Sequence, residues 1–211
     1  MPRVQPWYRR SVLMAAGAVA LAPVAAIALT QPKPTAPSGA TRVRNFAVNL
    51  DGTGANERLF VFNLSQSGQP TTYLSVWHQR RQVWEQSQYS RVFGPSPGSQ
   101  TSGLEYAIVG DLNNDRRYEV AVLDFITSSV GEQLMILRQS RYHGLRFKPL
   151  QAISGDKIVR IRSQPGAPSG FAVTIKANHS PDGQLHNERW AWSKQRKRWV
   201  CVSGPGVCVP R

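Results

Sequence analysis

Acidic residues are scarce in this chain, which has 12 Asp and Glu against 26 Lys and Arg among 211 residues. The formal net charge is +14, and such a charge attracts polyanions. Because the chain begins with an export signal, described below, we expect an anionic glycan, a wall polymer, a membrane surface or an envelope protein as partner, and not nucleic acid. The alternative is that the basic residues only keep the surface soluble.

Catalytic motifs are lacking as well. The four histidines are scattered through polar segments, and none stands in a nucleophile, metalloprotease or phosphate-loop motif. We therefore expect a non-catalytic binding or interaction protein. A hydrolase with a site between β units and an assembly factor of a membrane complex are the alternatives.

Cysteine is limited to Cys201 and Cys208, which flank a short segment that contains Gly204-Pro205-Gly206. A tight reversal between two β-prone runs favours a local disulfide in an oxidising compartment. Two free thiols are the alternative. No C-x-x-C pair accompanies them, so the pattern argues against a metal site here.

The first residues of the chain have the pattern of an export signal. Residues 1–10 are basic and contain no acid, and residues 11–29 are an apolar run made mainly of Ala, Val, Leu and Ile. The small residues of Ala26-Ile27-Ala28 form a cleavage site, which predicts a signal peptide over residues 1–28. A retained N-terminal anchor is the alternative, because the run approaches the length that spans a bilayer.

The signal also divides the chain and places it. Residues 29–42 are a Pro- and Ser-rich linker, and residues 43–211 are the predicted β-repeat domain. A cleaved signal and an anchor both place this domain outside the cytoplasm, in the periplasm or at the cell surface. The segment Arg9-Arg10-Ser11-Val12-Leu13 resembles a twin-arginine signal, which implies export in the folded state.

After the linker the sequence predicts an all-β fold. Short β-branched and aromatic runs are bounded by Gly, Pro, Asn, Asp or Ser, and no run has convincing helical periodicity. Twelve strands are predicted, at residues 43–49, 57–64, 71–78, 82–93, 104–110, 118–126, 132–139, 145–153, 157–163, 170–177, 188–193 and 198–203.

The chain also contains an internal repeat. Residues 46–61 align with residues 106–122 when Asn49 is set against Asp111. Each copy has an apolar run, a turn rich in acids and amides, a glutamate and a second apolar run.

The second copy, Asp111-Leu112-Asn113-Asn114-Asp115 followed by residues 118–122, resembles the FG-GAP/VCBS-type repeat of integrin-like β-propellers. The resemblance implies about three four-stranded antiparallel blade-like units in a partial or degenerate propeller. Three units are fewer than the four to eight of typical propellers, so the alternatives are an open or degenerate relative, an oligomer and a non-propeller stack of β-sheets.

The same resemblance implies a calcium site in the D-x-N-x-D turn, where alternate oxygen ligands converge on one point. Its ligands would be Asp111, Asn113, Asp115, the carbonyl of Arg117, and Glu119. Arg116 departs from the family pattern, because it replaces the glycine that normally permits the turn.

Two other segments have related spacing. A weaker metal candidate consists of Asn49, Asp51, Thr53 and Glu57, and a third copy would consist of Ser180, Asp182, Gln184 and Glu188. For both we prefer the alternative that the Asp and Asn side chains form turns by bonding local backbone N–H groups.

The C-terminal part of the chain combines cations with aromatic residues. Such groups suit acidic sugars or lipid headgroups, and they predict a binding surface. The alternative is a hairpin with a tryptophan-bearing inner face and a charged turn. The surface would consist of Trp190, Trp192, Lys194, Arg196, Lys197, Arg198 and Trp199.

Overall fold

The structure is a computed structural model that describes residues 31–94, 101–126, 131–155, 157–163, 171–177 and 186–203. The predicted signal peptide lies outside these residues, and so does Cys208. The described part is all β, as predicted, and none of it is helical. It accordingly contains no helix of the length and hydrophobicity needed to cross a bilayer.

Twelve strands form three four-stranded antiparallel sheets, each built from consecutive strands. The first sheet consists of β1 (Thr41–Val48), β2 (Glu57–Gln66), β3 (Gln69–Arg80) and β4 (Val83–Phe93). The second consists of β5 (Thr101–Gly110), β6 (Glu119–Ile126), β7 (Gly131–Gln139) and β8 (Phe147–Gly155). The third consists of β9 (Lys157–Ser163), β10 (Phe171–Ala177), β11 (His186–Ser193) and β12 (Arg198–Ser203).

The predicted strands are confirmed, with bounds that differ from the observed ones by three residues at most. The prediction of three four-stranded antiparallel units is confirmed too. The described strands do not close into a single sheet, since the strands of each set of four pair only with one another.

The second sheet lies between the other two and buries both of its faces. In β6, Val120 and Val122 pack with the first sheet, whereas Ala121 and Leu123 pack on the side of Trp199 in the third sheet. Successive side chains of a strand point to opposite faces, so a strand covered on both sides is apolar without alternation. The run Val120–Leu123 has this composition because the sheet is central.

A buried glutamine joins the first sheet to the second. The side chain of Gln139 is 1% exposed and donates to the carbonyls of Leu50, at 2.9 Å, and Gly144, at 2.6 Å. Its Oε1 accepts the backbone N–H of Tyr118 at 3.1 Å. Close by, Gly52 has φ +77° and lies against the His143 ring, leaving no space for a β-carbon.

The third sheet contacts the second through Trp199, which is fully buried. The Gln151 side chain bonds both backbone groups of Trp199, each at 2.8 Å. The Arg138 guanidinium, near the end of β7, lies 5.9 Å from the ring centroid of Trp192, near the end of β11. These ends of β7 and β11 are therefore on the same side of the molecule.

In an antiparallel sheet of consecutive strands, the first and third connections lie at one end and the second at the other. The bond from Gln139 to Leu50 and the contact of Arg138 with Trp192 show that these ends coincide in all three sheets. We call the shared end the loop end. It contains the connections 49–56, 81–82, 111–118, 140–146 and 194–197.

Part of the predicted linker packs on the first sheet. Ala36 and Ala40 contact the cluster of Phe60, Phe62 and Tyr73 on the face turned away from the second sheet. We call residues 31–40 the strap. Ala36 and Ala40 therefore hold the strap to this aromatic cluster at two points.

We expect Gln139→Ala to lower the free energy of unfolding by about 3 kcal/mol, because two buried carbonyls and one part-buried N–H lose their partner. Urea denaturation of the full chain measures this change. The matched control is Gln133→Ala, which removes one part-buried bond, to Ser154, and should cost about 1 kcal/mol or less. Equal losses in the two variants would contradict a special role for Gln139.

Candidate functional site

The two acidic loops at the loop end are closed by the same hydrogen bond. The backbone N–H of Leu50 donates to Glu57 at 2.5 Å, and that of Leu112 donates to Glu119 at 2.9 Å. Both glutamates begin the second strand of their sheet and are buried. The internal repeat is thus a repeated structure, a loop capped by a buried carboxylate.

The remaining oxygens of the second loop accept bonds from its own backbone. The N–H of Asp115 donates to Asp111 Oδ1 and to Asn113 Oδ1, both at 3.0 Å. The N–H groups of Arg116 and Arg117 donate to Asp111 Oδ2 at 2.9 Å and to Asp115 Oδ1 at 3.1 Å. These bonds are those of Asp and Asn side chains that form turns.

Arg138 brings a positive charge to this loop. It stands opposite Glu119 in the pairing of β6 with β7, and it forms an ion pair with Asp115. Its Nε lies 3.4 Å from Glu119 Oε1. Burial lowers the pKa of Arg138, although the charge of Asp111 acts in the opposite direction.

Burial raises the pKa of Glu119 to about 8, because an ionised carboxylate loses hydration inside the protein. Asp111 adds to the rise, whereas the N–H of Leu112 and the charge of Arg117 oppose it. Burial raises the pKa of Glu57 in the same direction. Both loops therefore place a buried carboxyl of raised pKa beneath an exposed turn.

The predicted calcium ligands Asp111, Asn113, Asp115 and Glu119 thus lie together in one loop. Their oxygens accept hydrogen bonds from donors of the protein itself, and the Arg138 guanidinium supplies a positive charge beside the carboxylates of Asp115 and Glu119. Within the described ranges, no group of three or more His, Cys, Asp or Glu side chains is arranged to hold a metal. This donor set suits closure by Arg138 better than by an ion, and calcium binding stays a prediction.

The weaker candidate, at residues 49–57, has the geometry of a turn. Asn49 accepts the N–H of Gly52 at 2.9 Å, and Asp51 accepts both the N–H and the hydroxyl of Thr53. Burial acts to raise the pKa of Asp51, but the bonds from Thr53 outweigh it and lower that pKa.

The third copy occupies a different place in its sheet. Glu188 is 4% exposed and accepts the indole N–H of Trp190 at 3.3 Å. It lies in the third strand of the third sheet, whereas Glu57 and Glu119 each begin a second strand. Ser180, Asp182 and Gln184 lie outside the described residues.

The predicted C-terminal surface separates into a core part and an exposed part. Trp199 is fully buried, and Trp192 packs edge-on against it with 4.6 Å between ring centroids. Trp190 is half-buried beside them. The cations are exposed at or next to the β11–β12 turn, at Lys194, Arg196, Lys197 and Arg198. Cys201 lies in β12, and its pairing with Cys208 stays a prediction.

Charge is segregated between the interior and the surface. Of the ten carboxylates whose burial is described, only Glu85 and Glu105 are exposed, whereas fifteen of the eighteen described Lys and Arg side chains are exposed. The surface is therefore more basic than the formal charge suggests.

The sequence reasoning missed Arg138 and Gln139, which hold the loops in place. Arg138 and Glu119 are 19 residues apart in the chain, and the β6–β7 register makes them neighbours. A cross-strand pairing of the predicted strands was the signal that would have placed Arg138 opposite Glu119.

Compared with known proteins, the chain matches no family model, and no curated protein or solved structure is significantly similar to it. The likeness to FG-GAP/VCBS repeats therefore rests on the residues quoted above.

We expect the stability of the full chain to fall as pH rises from 4.5 to about 8, because folded Glu119 holds its proton more tightly than the unfolded chain does. Glu119→Gln should reduce this fall by at least about 1 kcal/mol, measured by urea denaturation at both ends of the range. Glu105→Gln, at an exposed carboxylate, is the control and should leave the fall intact. A pH response of Glu119→Gln identical to that of the natural chain would contradict the assignment.

The calcium prediction has its own test. If the ion binds, calcium added to the chelator-treated full chain raises its melting temperature. At a calcium concentration of one hundred times Kd, the free energy of unfolding should increase by about 2.7 kcal/mol. Asp111→Ala should abolish the rise, and Glu105→Ala should preserve it. No response in the natural chain would refute the calcium site and leave the Arg138 closure as the structure of the loop.

Proposed function

We propose that this chain is an exported, non-catalytic β-repeat protein of the cell envelope that binds an anionic partner at the loop end of its sheets. In this proposal the three sheets are blade-like units of a partial, open β-propeller. An acidic glycan, a wall polymer and a membrane surface are all partners of the required charge.

The observation that carries the proposal is the backbone conformation of three loop-end cations. Arg81, Arg116 and Lys197 have φ values of 50°, 69° and 50°, in the left-handed region that favours glycine. A side chain there costs roughly 1 kcal/mol per residue. Near the opposite end Arg42 is also left-handed, with φ 49°, and it donates to the carbonyl of Leu104 at 3.2 Å, whereas the β2–β3 turn there uses Ser67-Gly68. Strained residues that also expose charge are expected where the charge has a use.

Other cations surround these three. The connections of the loop end contain Arg81, Arg116, Arg117, Arg141, Arg146, Lys194, Arg196 and Lys197. The second connection of each sheet, which lies at the end opposite the loop end, contains no Lys or Arg in its sequence. These connections are residues 67–68 between β2 and β3, residues 127–130 between β6 and β7, and residues 178–185 between β10 and β11. A charge that served only solubility would have no reason to favour one set of connections.

The buried carboxylates strengthen this asymmetry. Glu57 and Glu119 lie buried under the loops, where burial raises the pKa of both carboxyls, and Asp115 is paired with Arg138. Acidic side chains therefore compete little for the exposed cations. A polyanion that approaches the loop end meets positive charge that is largely unpaired with carboxylates.

Replacing strained cations with glycine separates binding from folding. The double variant Arg81→Gly/Lys197→Gly should leave stability unchanged or raise it by about 1 kcal/mol, because glycine relieves the backbone. The same variant should elute from immobilised heparin, which stands in for an acidic polymer, at a lower salt concentration than the natural chain. Its slope of log affinity against log salt should fall by about 1 to 2, since each neutralised phosphate or sulfate releases a counterion.

Ser67→Gly is the matched control, because it relieves a left-handed residue at the opposite end without removing charge. It should elute with the natural chain. Unchanged elution of the double variant would refute the loop end as the binding surface.

A further inference from the structure

We infer that the anionic partner is the headgroup layer of a lipid bilayer and that the loop end faces it. This inference rests on the function proposed above and names the partner of the same surface. Three observations support it: where the strap begins, how the strap is held, and which apolar groups stand among the cations.

The strap begins at the loop end. The side chain of Gln31 accepts the backbone N–H of Trp84 at 3.2 Å. Trp84 is the second residue of β4 and follows the basic turn at residues 81–82. The chain that precedes Gln31 therefore joins the domain beside Arg80 and Arg81.

The sequence before Gln31 makes this position informative. The apolar run of residues 11–29 ends two residues earlier, and two extended residues span at most about 7 Å. When that run occupies a bilayer, during export or as an anchor, Gln31 lies within this distance of the end of the run. The loop end is then brought against the headgroups.

The strap also limits how the domain can turn. Ala36 and Ala40 pack against Phe60, Phe62 and Tyr73, and β1 begins at Thr41. A free linker of this length would let any face of the domain meet the membrane. A strap held to the first sheet at Gln31, Ala36 and Ala40 presents the loop end.

Apolar side chains stand among the loop-end cations. Tyr142 is 54% exposed between Arg141 and Arg146, and Val83 is 41% exposed next to the turn at residues 81–82. Near the opposite end of β1, Val43 stands between Arg42 and Arg44 and is 38% exposed, without an aromatic side chain in that segment. Cations attract anionic headgroups, while tyrosine and aliphatic groups enter the boundary between headgroups and acyl chains. A hydrated acidic polymer offers nothing apolar to Val83, so this combination favours a bilayer over a soluble glycan.

Sedimentation of the full chain with lipid vesicles tests the inference. The probes are vesicles of phosphatidylcholine alone and of phosphatidylcholine mixed with phosphatidylglycerol. The apolar run contributes to binding in both, so the readout is the ratio of the two affinities. We expect the anionic vesicles to be preferred, and Arg141→Gln/Arg146→Gln to reduce the ratio by roughly tenfold.

Arg42→Gln/Arg91→Gln is the matched control, because it removes two exposed charges near the opposite ends of β1 and β4. It should keep the ratio of the natural chain. An equal fall in both double variants would overturn the orientation, because net charge alone would then account for the preference.

Immobilised heparin distinguishes the inference from the proposed function. Salt-dependent retention on heparin, together with equal affinity for neutral and anionic vesicles, would overturn the bilayer as partner and leave polyanion binding intact. If the full chain binds neither heparin nor anionic vesicles, both the proposed function and this inference are refuted.

Discussion

The arrangement of this protein depends on the buried amide of Gln139. One side chain bonds the loop after β1, the residue before β6 and the turn after β7, so it fixes the first sheet against the second at one end. A buried amide must have all its partners satisfied, because an unpaired polar group in the interior costs several times what a formed bond contributes. Other bonds join the same two sheets, among them those of Gln88 with the backbone of Phe147 and of Asn63 with the N–H of Leu104. Gln139 is the one that gathers three connections of the loop end around a single side chain.

The capped loops then decide how charge is distributed. Glu57 and Glu119 bond the N–H of Leu50 and Leu112 from inside, and burial raises the pKa of each carboxyl. Arg138 completes the second loop from the neighbouring strand. Because the second loop is closed by internal groups, its outer position at Arg116 is available to an exposed cation. The basic surface and the acidic interior are two consequences of the same construction.

Much of the fold was predictable because its signals are local. Short β-prone runs between turn residues predict strands, and the strand bounds proved accurate to within three residues. The repeat of Leu50–Glu57 in Leu112–Glu119 was also visible, and so was the unusual Arg116 at a glycine position, which has φ 69°. The role of Trp199 was not predictable, since a tryptophan beside lysines and arginines has the same pattern in a binding surface and in a hairpin with a buried face. Only its packing against the second sheet places it in the core.

The sequence by itself determined the all-β class, the twelve strands and the excess of positive charge, because strand propensity, turn chemistry and charge are properties of short segments. Tertiary structure decided which segments meet: that Arg138 pairs with the loop of Asp115, that Trp199 is buried, and that the strap begins beside Trp84. These contacts join residues that are far apart in the chain. Which residues meet depends on how the three sheets stack, and the stacking must bury both faces of the central sheet. The function proposed here depends on that packing, because it brings the basic turns of all three sheets to one end.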